Sequence, residues 1–174
     1  MFDQFSYRAT NIYDNEQCQF IINKYNQDAT HRANQGTNAD EDDNRDVYIK
    51  RIDLANHLDI ADKLFEANEY FYNFDISRKI ECYFARYETN NHYNAEHTDC
   101  ILLDNETDLQ RKMSFSLLLN DNYEDGNLCI TGINVEKSTG TLIVFPSFIP
   151  HKVSTVTSGT RYVIFGFCLG PIWR

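Results

Sequence analysis

Residues 140–169 read GTLIVFPSFIPHKVSTVTSGTRYVIFGFCL, and this stretch decides the fold class. Runs rich in β-branched and aromatic residues predict strands at 140–145, 151–156 and 160–169. Turn-forming residues separate the runs, most clearly at Ser158-Gly159. Short strands divided by turn signals at this spacing predict a β-sandwich or jelly roll.

The flanking sequence extends this pattern towards the N-terminus. Alternating residues predict further strands at 79–87, 114–120 and 128–131, and a short strand at 47–52. Helical spacing predicts helices at 14–26 and 57–74, the second with an apolar stripe of Leu58, Ala61, Leu64, Phe65 and Tyr72. We therefore predict one domain over residues 1–174, with helical support over about 1–78 and a β core over about 79–174.

Composition excludes several classes of partner. The chain has 174 residues and a formal net charge of −10, which argues against nucleic acid or an anionic membrane surface as a general partner. No run of apolar residues is long enough for a transmembrane helix, and the first residues do not form a signal peptide. The five cysteines form no metal or disulfide pattern, so we expect free thiols and a cytoplasmic location.

His97-Thr98-Asp99 is the first pattern that carries chemistry. On a strand, residues two apart point to the same face, so the imidazole and the carboxylate are predicted to converge. His151, at the start of a predicted strand, is the natural third ligand among the five histidines. Two histidines and one carboxylate with open positions form the facial triad of non-haem iron(II) oxygenases.

Arg161 indicates which kind of co-substrate could bind at such a metal site. We predict a hairpin in which Val156 pairs with Thr160, so that Thr155 lies opposite Arg161 and Arg161 faces the same way as His151. Four residues of strand separate their backbones by about 13 Å at ~3.3 Å per residue. That gap suits a short dicarboxylate that chelates the metal at one end and pairs with a guanidinium at the other.

These residues resemble a known family, the 2-oxoglutarate/iron(II) oxygenases of the prolyl 4-hydroxylase-like type, which includes bacterial and phage-encoded members. The similarity covers about residues 80–171 and lies in Arg86-Tyr87 with Tyr93 and His97-Thr-Asp99, in the stretch 111–128, and in the stretch 140–162. The resemblance implies a double-stranded β-helix, a distorted jelly roll. It also makes Tyr87 and Ser114 candidates to contact 2-oxoglutarate.

The resemblance further implies the cofactors and the reaction. Iron(II) would bind His97, Asp99 and His151, 2-oxoglutarate would pair with Arg161, O₂ would be consumed, and ascorbate would serve as a reductant. The reaction would hydroxylate a C–H bond, most naturally of a peptidyl proline or another protein side chain, while 2-oxoglutarate is decarboxylated to succinate. Hydroxylation of a free amino acid or small metabolite, and a non-catalytic metal-binding jelly roll, remain open alternatives.

Two polar segments are candidates for walls or lids over such a site. Residues 29–46 are charged and contain no large apolar group, and residues 100–110 interrupt the strand pattern. A groove beside the metal would favour a peptide substrate, whereas a small closed pocket would favour a metabolite.

Overall fold

A computed structural model describes residues 5–29, 31–32, 46–100, 102–103 and 108–173 of the chain. Within these ranges the structure is mainly β, as predicted, and all of its strand pairs are antiparallel. The strands are β1 (Tyr7–Ala9), β2 (His31–Arg32), β3 (Tyr48–Arg51), β4 (Ile80–Tyr87), β5 (Tyr93–His97), β6 (Leu102–Leu103), β7 (Leu109–Leu118), β8 (Glu124–Asp125), β9 (Leu128–Ile130), β10 (Ile133–Asn134), β11 (Leu142–Pro146), β12 (His151–Val153), β13 (Val156–Ser158) and β14 (Arg161–Pro171). The helices are α1 (Asn15–Asn26) and α2 (Leu58–Ala67), with a 3₁₀ turn at Leu54–Asn56 and a π-helical segment at Asn68–Tyr72.

Two sheets carry the site. The larger has the order β1-β11-β7-β14-β4-β3-β2, with β6 also paired to β7, and the smaller has the order β10-β9-β12-β5. A third, two-stranded sheet joins β13 to β8. The N-terminal part of the chain is not purely helical support, because β1, β2 and β3 all join the larger sheet. The helices pack on one face of this sheet, over a core that includes Phe84, Met113, Leu117 and Ile164.

Helix α1 follows its sequence signals. Asp14 is the N-cap: its carboxylate accepts a hydrogen bond from the backbone N–H of Gln17 at 2.8 Å, and the Gln17 side chain accepts one from the backbone N–H of Asp14 at 3.0 Å. This capping box satisfies backbone donors that the first turn leaves free. The helix buries Cys18 and Ile22 against the larger sheet, as the spacing of its apolar residues predicts.

The predicted apolar stripe of α2 is wrong in part. The helix buries Ile60, Leu64 and Ala67, whereas the Leu58 side chain is 64% exposed. Phe65 is also exposed, so the buried face is rotated from the one predicted. The row of buried side chains on α2 that includes Leu64 therefore begins at Ile60 and not at Leu58. The regular helix ends at Ala67, where a π-helical segment begins.

The predicted hairpin between residues 156 and 160 is also wrong. β13 pairs with β8, with Val156 opposite Asp125, while β14 pairs with β4 and β7 in the larger sheet. The chain leaves one sheet and enters another within two residues, at Gly159, which has a φ of +82°. A Cβ at Gly159 would lie 3.1 Å from a backbone oxygen, so this crossing depends on glycine.

Candidate active site

The two predicted histidine ligands are direct cross-strand neighbours. His97 at the end of β5 lies opposite His151 at the start of β12, and their ring centroids are 4.3 Å apart. Antiparallel pairing of adjacent strands therefore places both rings on one face of the smaller sheet. Tyr93 stacks on the His97 ring at 3.8 Å and Phe145 packs edge-on against the His151 ring at 4.7 Å, so aromatic neighbours flank both rings.

Hydrogen bonds fix how each histidine presents its nitrogens. The Nδ1 atom of His97 lies 2.9 Å from the carbonyl oxygen of Ala95, and the Nδ1 atom of His151 lies 3.0 Å from that of Ile149. A carbonyl oxygen only accepts, so each Nδ1 must carry the proton. The Nε2 atoms are left to face Asp99, and such a bond to Nδ1 is what orients a metal-ligating histidine.

Asp99 completes the cluster, although not as predicted. Strand β5 ends at His97, so the alternation of side chains along a strand does not place Asp99. Its position comes instead from its backbone N–H, which donates to the carbonyl oxygen of Ser147 at 2.8 Å. Ser114 then donates its hydroxyl proton to Asp99 Oδ2 at 2.7 Å, and the hydroxyls of Ser114 and Ser147 are hydrogen-bonded to each other at 2.9 Å.

The three side chains converge on one point. Asp99 Oδ2 lies 3.1 Å from His151 Nε2, and Asp99 Oδ1 lies 3.7 Å from His97 Nε2. One ligand atom from each residue falls within 4.8 Å of the other two, a grouping found nowhere else in the portions of the chain that the structure describes. Two imidazole nitrogens and one carboxylate oxygen are a donor set that fits iron(II).

Electrostatics favour the charged form of Asp99. Burial alone would raise the pKa of its carboxyl group, but the hydrogen bond and charge of His151, together with the Ser114 hydrogen bond, outweigh burial and lower the pKa. For His151, burial opposes the positive charge, yet the contact with Asp99 dominates and raises the pKa of the imidazole. The site thus holds a carboxylate anion in a largely buried place, where a cation is its natural partner.

These residues line a pocket of about 260 Å³ between the two sheets. Arg161 lines the same pocket from the larger sheet, where it lies opposite Tyr87 on β4. The structure therefore brings Arg161 towards the three predicted ligands across the space between two sheets, and not along one face of a hairpin.

Arg161 is poised for an anion. Its side chain is only 3% exposed, and its Nε atom has no hydrogen-bond partner among the described residues. The guanidinium carbon lies 5.0 Å from the centre of the Tyr87 ring. Burial raises the pKa of Tyr123, an effect that the charge of nearby Arg161 and a hydrogen bond to it partly offset. A buried guanidinium with an unused donor is suited to a carboxylate.

Tyr87 and Ser114, which the resemblance implies as further contacts of 2-oxoglutarate, differ from each other in their surroundings. Tyr87 is buried and lines the pocket beside Arg161. Ser114 also lines the pocket, but its hydroxyl is committed to Asp99. A role for either residue in contacting 2-oxoglutarate stays a prediction.

Sequence reasoning missed three residues of this site, Ser147, Tyr123 and Arg111. Ser147 and Tyr123 act through contacts between distant parts of the chain, and no local pattern marks them. Arg111 lines the pocket because a bulge in β7 opposite Cys168 shifts the strand register by one residue. Without that bulge the alternation along β7 would turn Arg111 away from the pocket.

His57 and His92 lie outside this pocket. The His57 ring is buried between the hydroxyls of Tyr13 and Tyr25, at 3.3 and 3.2 Å from its two nitrogens. The backbone of His92 bridges to Asp46, and its side chain does not line the pocket. Most of the candidate lid segment 29–46 lies outside the described residues, as do residue 101 and residues 104–107 of the candidate segment 100–110. None of the described helices has the length and apolar character needed to cross a membrane.

A jelly roll with two histidines, one carboxylate and a buried arginine around a single pocket defines the class of metal-dependent, double-stranded β-helix proteins. Comparison with known proteins identifies the family within this class. The profile of the 2OG-Fe(II) oxygenase superfamily matches residues 82–169, just over half of the chain, and the chain belongs to that superfamily. The four residues of the candidate site, His97, Asp99, His151 and Arg161, all lie inside the matched range.

Similar proteins agree with this family. A PKHD-type hydroxylase from Crocosphaera subtropica is 34% identical over 90 residues, which cover 48% of this chain and 40% of that protein. The chain therefore matches less than half the length of this curated relative. A prolyl-4-hydroxylase structure from Pseudomonas putida superposes with a TM-score of 0.73 at 22% identity, covering 96% of this chain and 93% of the other. A Trichoplax adhaerens prolyl hydroxylase in complex with a hypoxia inducible factor peptide fragment superposes with a TM-score of 0.73 at 18% identity, covering 95% of this chain and 83% of the other. These structures establish the shared fold, a double-stranded β-helix.

Proposed function

We propose that this chain is an iron(II)- and 2-oxoglutarate-dependent dioxygenase that hydroxylates a C–H bond of a peptidyl proline or another protein side chain. The observation that carries the proposal is the convergence of His97, Asp99 and His151 within 4.8 Å of one another, in the pocket that also contains buried Arg161. Bound iron(II) would supply the activation of O₂ that is coupled to decarboxylation of 2-oxoglutarate to succinate.

The residues present fit this metal and this co-substrate. Each imidazole directs Nε2 towards the cluster because a backbone carbonyl holds Nδ1–H. Asp99 keeps its charge with the help of Ser114, which fixes the orientation of the carboxylate. Three protein ligands leave positions open for a chelating 2-oxo acid and O₂.

The rest of the pocket orients the co-substrate and excludes water. Arg161 would pair with the distal carboxylate of 2-oxoglutarate through its free donor. Phe145, Val163 and Phe165 give the pocket apolar walls, which strengthen that ion pair by keeping solvent away. Ascorbate as a reductant and a cytoplasmic location belong to the same proposal, and both rest on the family resemblance and the composition.

A polypeptide substrate is favoured over a free metabolite for two reasons. The structural neighbours include a prolyl hydroxylase in complex with a peptide. In addition, a second cavity of larger volume has Glu81 in its lining, and Glu81 forms an ion pair with Arg111 of the pocket lining. A single closed pocket of about 260 Å³ would instead suit a free amino acid.

The test is formation of succinate from 2-oxoglutarate with iron(II) and O₂, measured without added substrate. The wild-type chain is expected to turn over slowly, and Arg161→Ala is expected to lose the activity at the same iron concentration. Binding of Mn(II), used as a redox-stable probe, should be retained in Arg161→Ala and lost in a His97→Ala/His151→Ala variant. If the wild type forms no more succinate than Arg161→Ala at saturating iron, the dioxygenase proposal is wrong. Metal binding without turnover would then favour a non-catalytic metal-binding module.

A further inference from the structure

A second cavity, of about 1090 Å³, lies where the helical layer meets the start of β4. We name it the α2–β4 groove. It is lined by the 3₁₀ turn, by the outward side of α2 and by the chain entering β4, and its lining includes Arg51, Asp53, Leu58, Phe65, Arg78, Lys79 and Glu81. It offers about four times the space of the pocket that holds the candidate metal ligands.

One ion pair links the lining of the groove to the lining of the active-site pocket. Glu81 lines the groove, and its Oε2 atom accepts a hydrogen bond from Arg111 Nε at 3.1 Å and lies 3.0 Å from Arg111 Nη2. Arg111 lines the active-site pocket, where its guanidinium lies 3.6 Å from the centre of the Phe167 ring. The linings of the groove and of the pocket are therefore in contact through this ion pair, although they share no residue.

The apolar surface of the groove has no cover among the described residues. Leu58 is 64% exposed and Phe65 is 39% exposed, both on the side of α2 that faces away from the core. Large apolar side chains exposed together beside a concave surface are typical of a binding groove.

The charge of the groove is opposite to that of the whole chain. Arg51, Arg78 and Lys79 are exposed cations that form no ion pair with the described residues, in a chain with a net charge of −10. Of the two acidic residues of the groove, Glu81 pairs with Arg111, while Asp53 accepts a hydrogen bond from the backbone N–H of Ala55 at 2.9 Å and keeps its negative charge. Three cations therefore outnumber one carboxylate that has no cationic partner among the described residues. The groove is therefore a local positive surface.

We propose that the α2–β4 groove binds the polypeptide substrate through a segment that combines acidic and apolar side chains. The acidic groups would pair with Arg51, Arg78 and Lys79, and the apolar groups would cover Leu58 and Phe65. This inference rests on the proposed function in that it calls the bound segment a substrate. A nucleic acid is disfavoured because it carries a negative charge at every nucleotide, so the net charge of −10 repels it more strongly than a segment with a few acidic groups.

The experiment measures binding of labelled peptides to the full chain by fluorescence anisotropy, without iron or 2-oxoglutarate. Three peptides of equal length share the same leucine positions and carry glutamate, glutamine or lysine elsewhere, and a single-stranded DNA of matched charge is the fourth probe. The glutamate peptide is expected to bind most tightly, with an affinity that falls as salt rises.

Charge-reversal variants locate the binding site. Arg78→Glu/Lys79→Glu is expected to lower the affinity for the glutamate peptide about tenfold or more, because repulsion replaces attraction at two positions. Arg8→Glu/Lys24→Glu is the control, since it lowers the net charge by the same amount outside the groove and should change affinity less than about twofold. Circular dichroism and thermal melts verify that both variants are folded.

Two matched substitutions by serine test the contribution of the apolar surface of the groove. Leu58→Ser is expected to weaken binding of the glutamate peptide, whereas Phe20→Ser, at a side chain that is 67% exposed on another surface, should leave it unchanged. Equal weakening by both charge variants, tighter binding of the lysine peptide, or tightest binding of DNA would each overturn the groove proposal.

Failure of the two proposals can be told apart. If succinate forms but the glutamate peptide does not bind, the groove proposal alone is wrong. If the peptide binds at the groove but no succinate forms in the wild type, the groove is a docking surface and the dioxygenase proposal is wrong.

Discussion

Removal of the Ser114 hydroxyl distinguishes two alternative roles of this residue: orienting the Asp99 carboxylate, or contacting 2-oxoglutarate directly. Ser114 is 1% exposed and donates to Asp99 Oδ2 at 2.7 Å, a hydrogen bond to a charged acceptor in a buried place. Such a bond contributes about 1.5–3 kcal/mol. Ser114→Ala therefore leaves the Asp99 carboxylate less well oriented, and we expect it to weaken metal binding by about 10- to 150-fold, at about 1.4 kcal/mol per factor of ten.

The assay is titration of Mn(II) into the protein by calorimetry, first alone and then with 2-oxoglutarate titrated into the metal-saturated protein. Ser116→Ala is the matched control, because Ser116 lines the same pocket two residues along β7. We expect Ser114→Ala to lower the affinity for Mn(II), and Ser116→Ala to leave it nearly unchanged. Unchanged metal affinity in Ser114→Ala, together with weaker 2-oxoglutarate binding, would refute the reasoning and make Ser114 a direct contact of the co-substrate.

The fold supports three further predictions, all on stability. Leu64→Ala, at a fully buried position, should lower the free energy of unfolding by about 2–5 kcal/mol in urea titrations, whereas Leu58→Ala should change it by less than about 0.5 kcal/mol. Gly140→Ala should lower the melting temperature more than Gly132→Ala, because both have positive φ but only at Gly140 would the new Cβ meet a backbone oxygen at 2.0 Å. Burial lowers the pKa of His57, so the unfolded chain takes up a proton there before the folded chain does, and stability falls as the pH drops below about 6.5. His57→Phe should lessen the fall in melting temperature between about pH 7.5 and about pH 5.5.

The residue types of the site and most of the strands follow from local patterns in the sequence. His97, Asp99, His151 and Arg161 can be recognised as a set from their motifs together with the family resemblance, and the folded chain brings all four to one pocket. Strands near residues 80–87, 142–146 and 161–171 are predictable because alternation of side chains is a local property of the chain. The ends of α1 are predictable for the same reason, since a cap acts within one turn.

How those residues meet depends on contacts between segments that are far apart in the chain. Asp99 lies beyond the end of β5 and is held by Ser147. Arg161 reaches the pocket from the larger sheet, opposite Tyr87, while His97 and His151 face it from the smaller one. The physical reason is that strand pairing is made by hydrogen bonds between segments far apart in the chain, so periodicity tells which side chains share a face but not which sheet a strand joins.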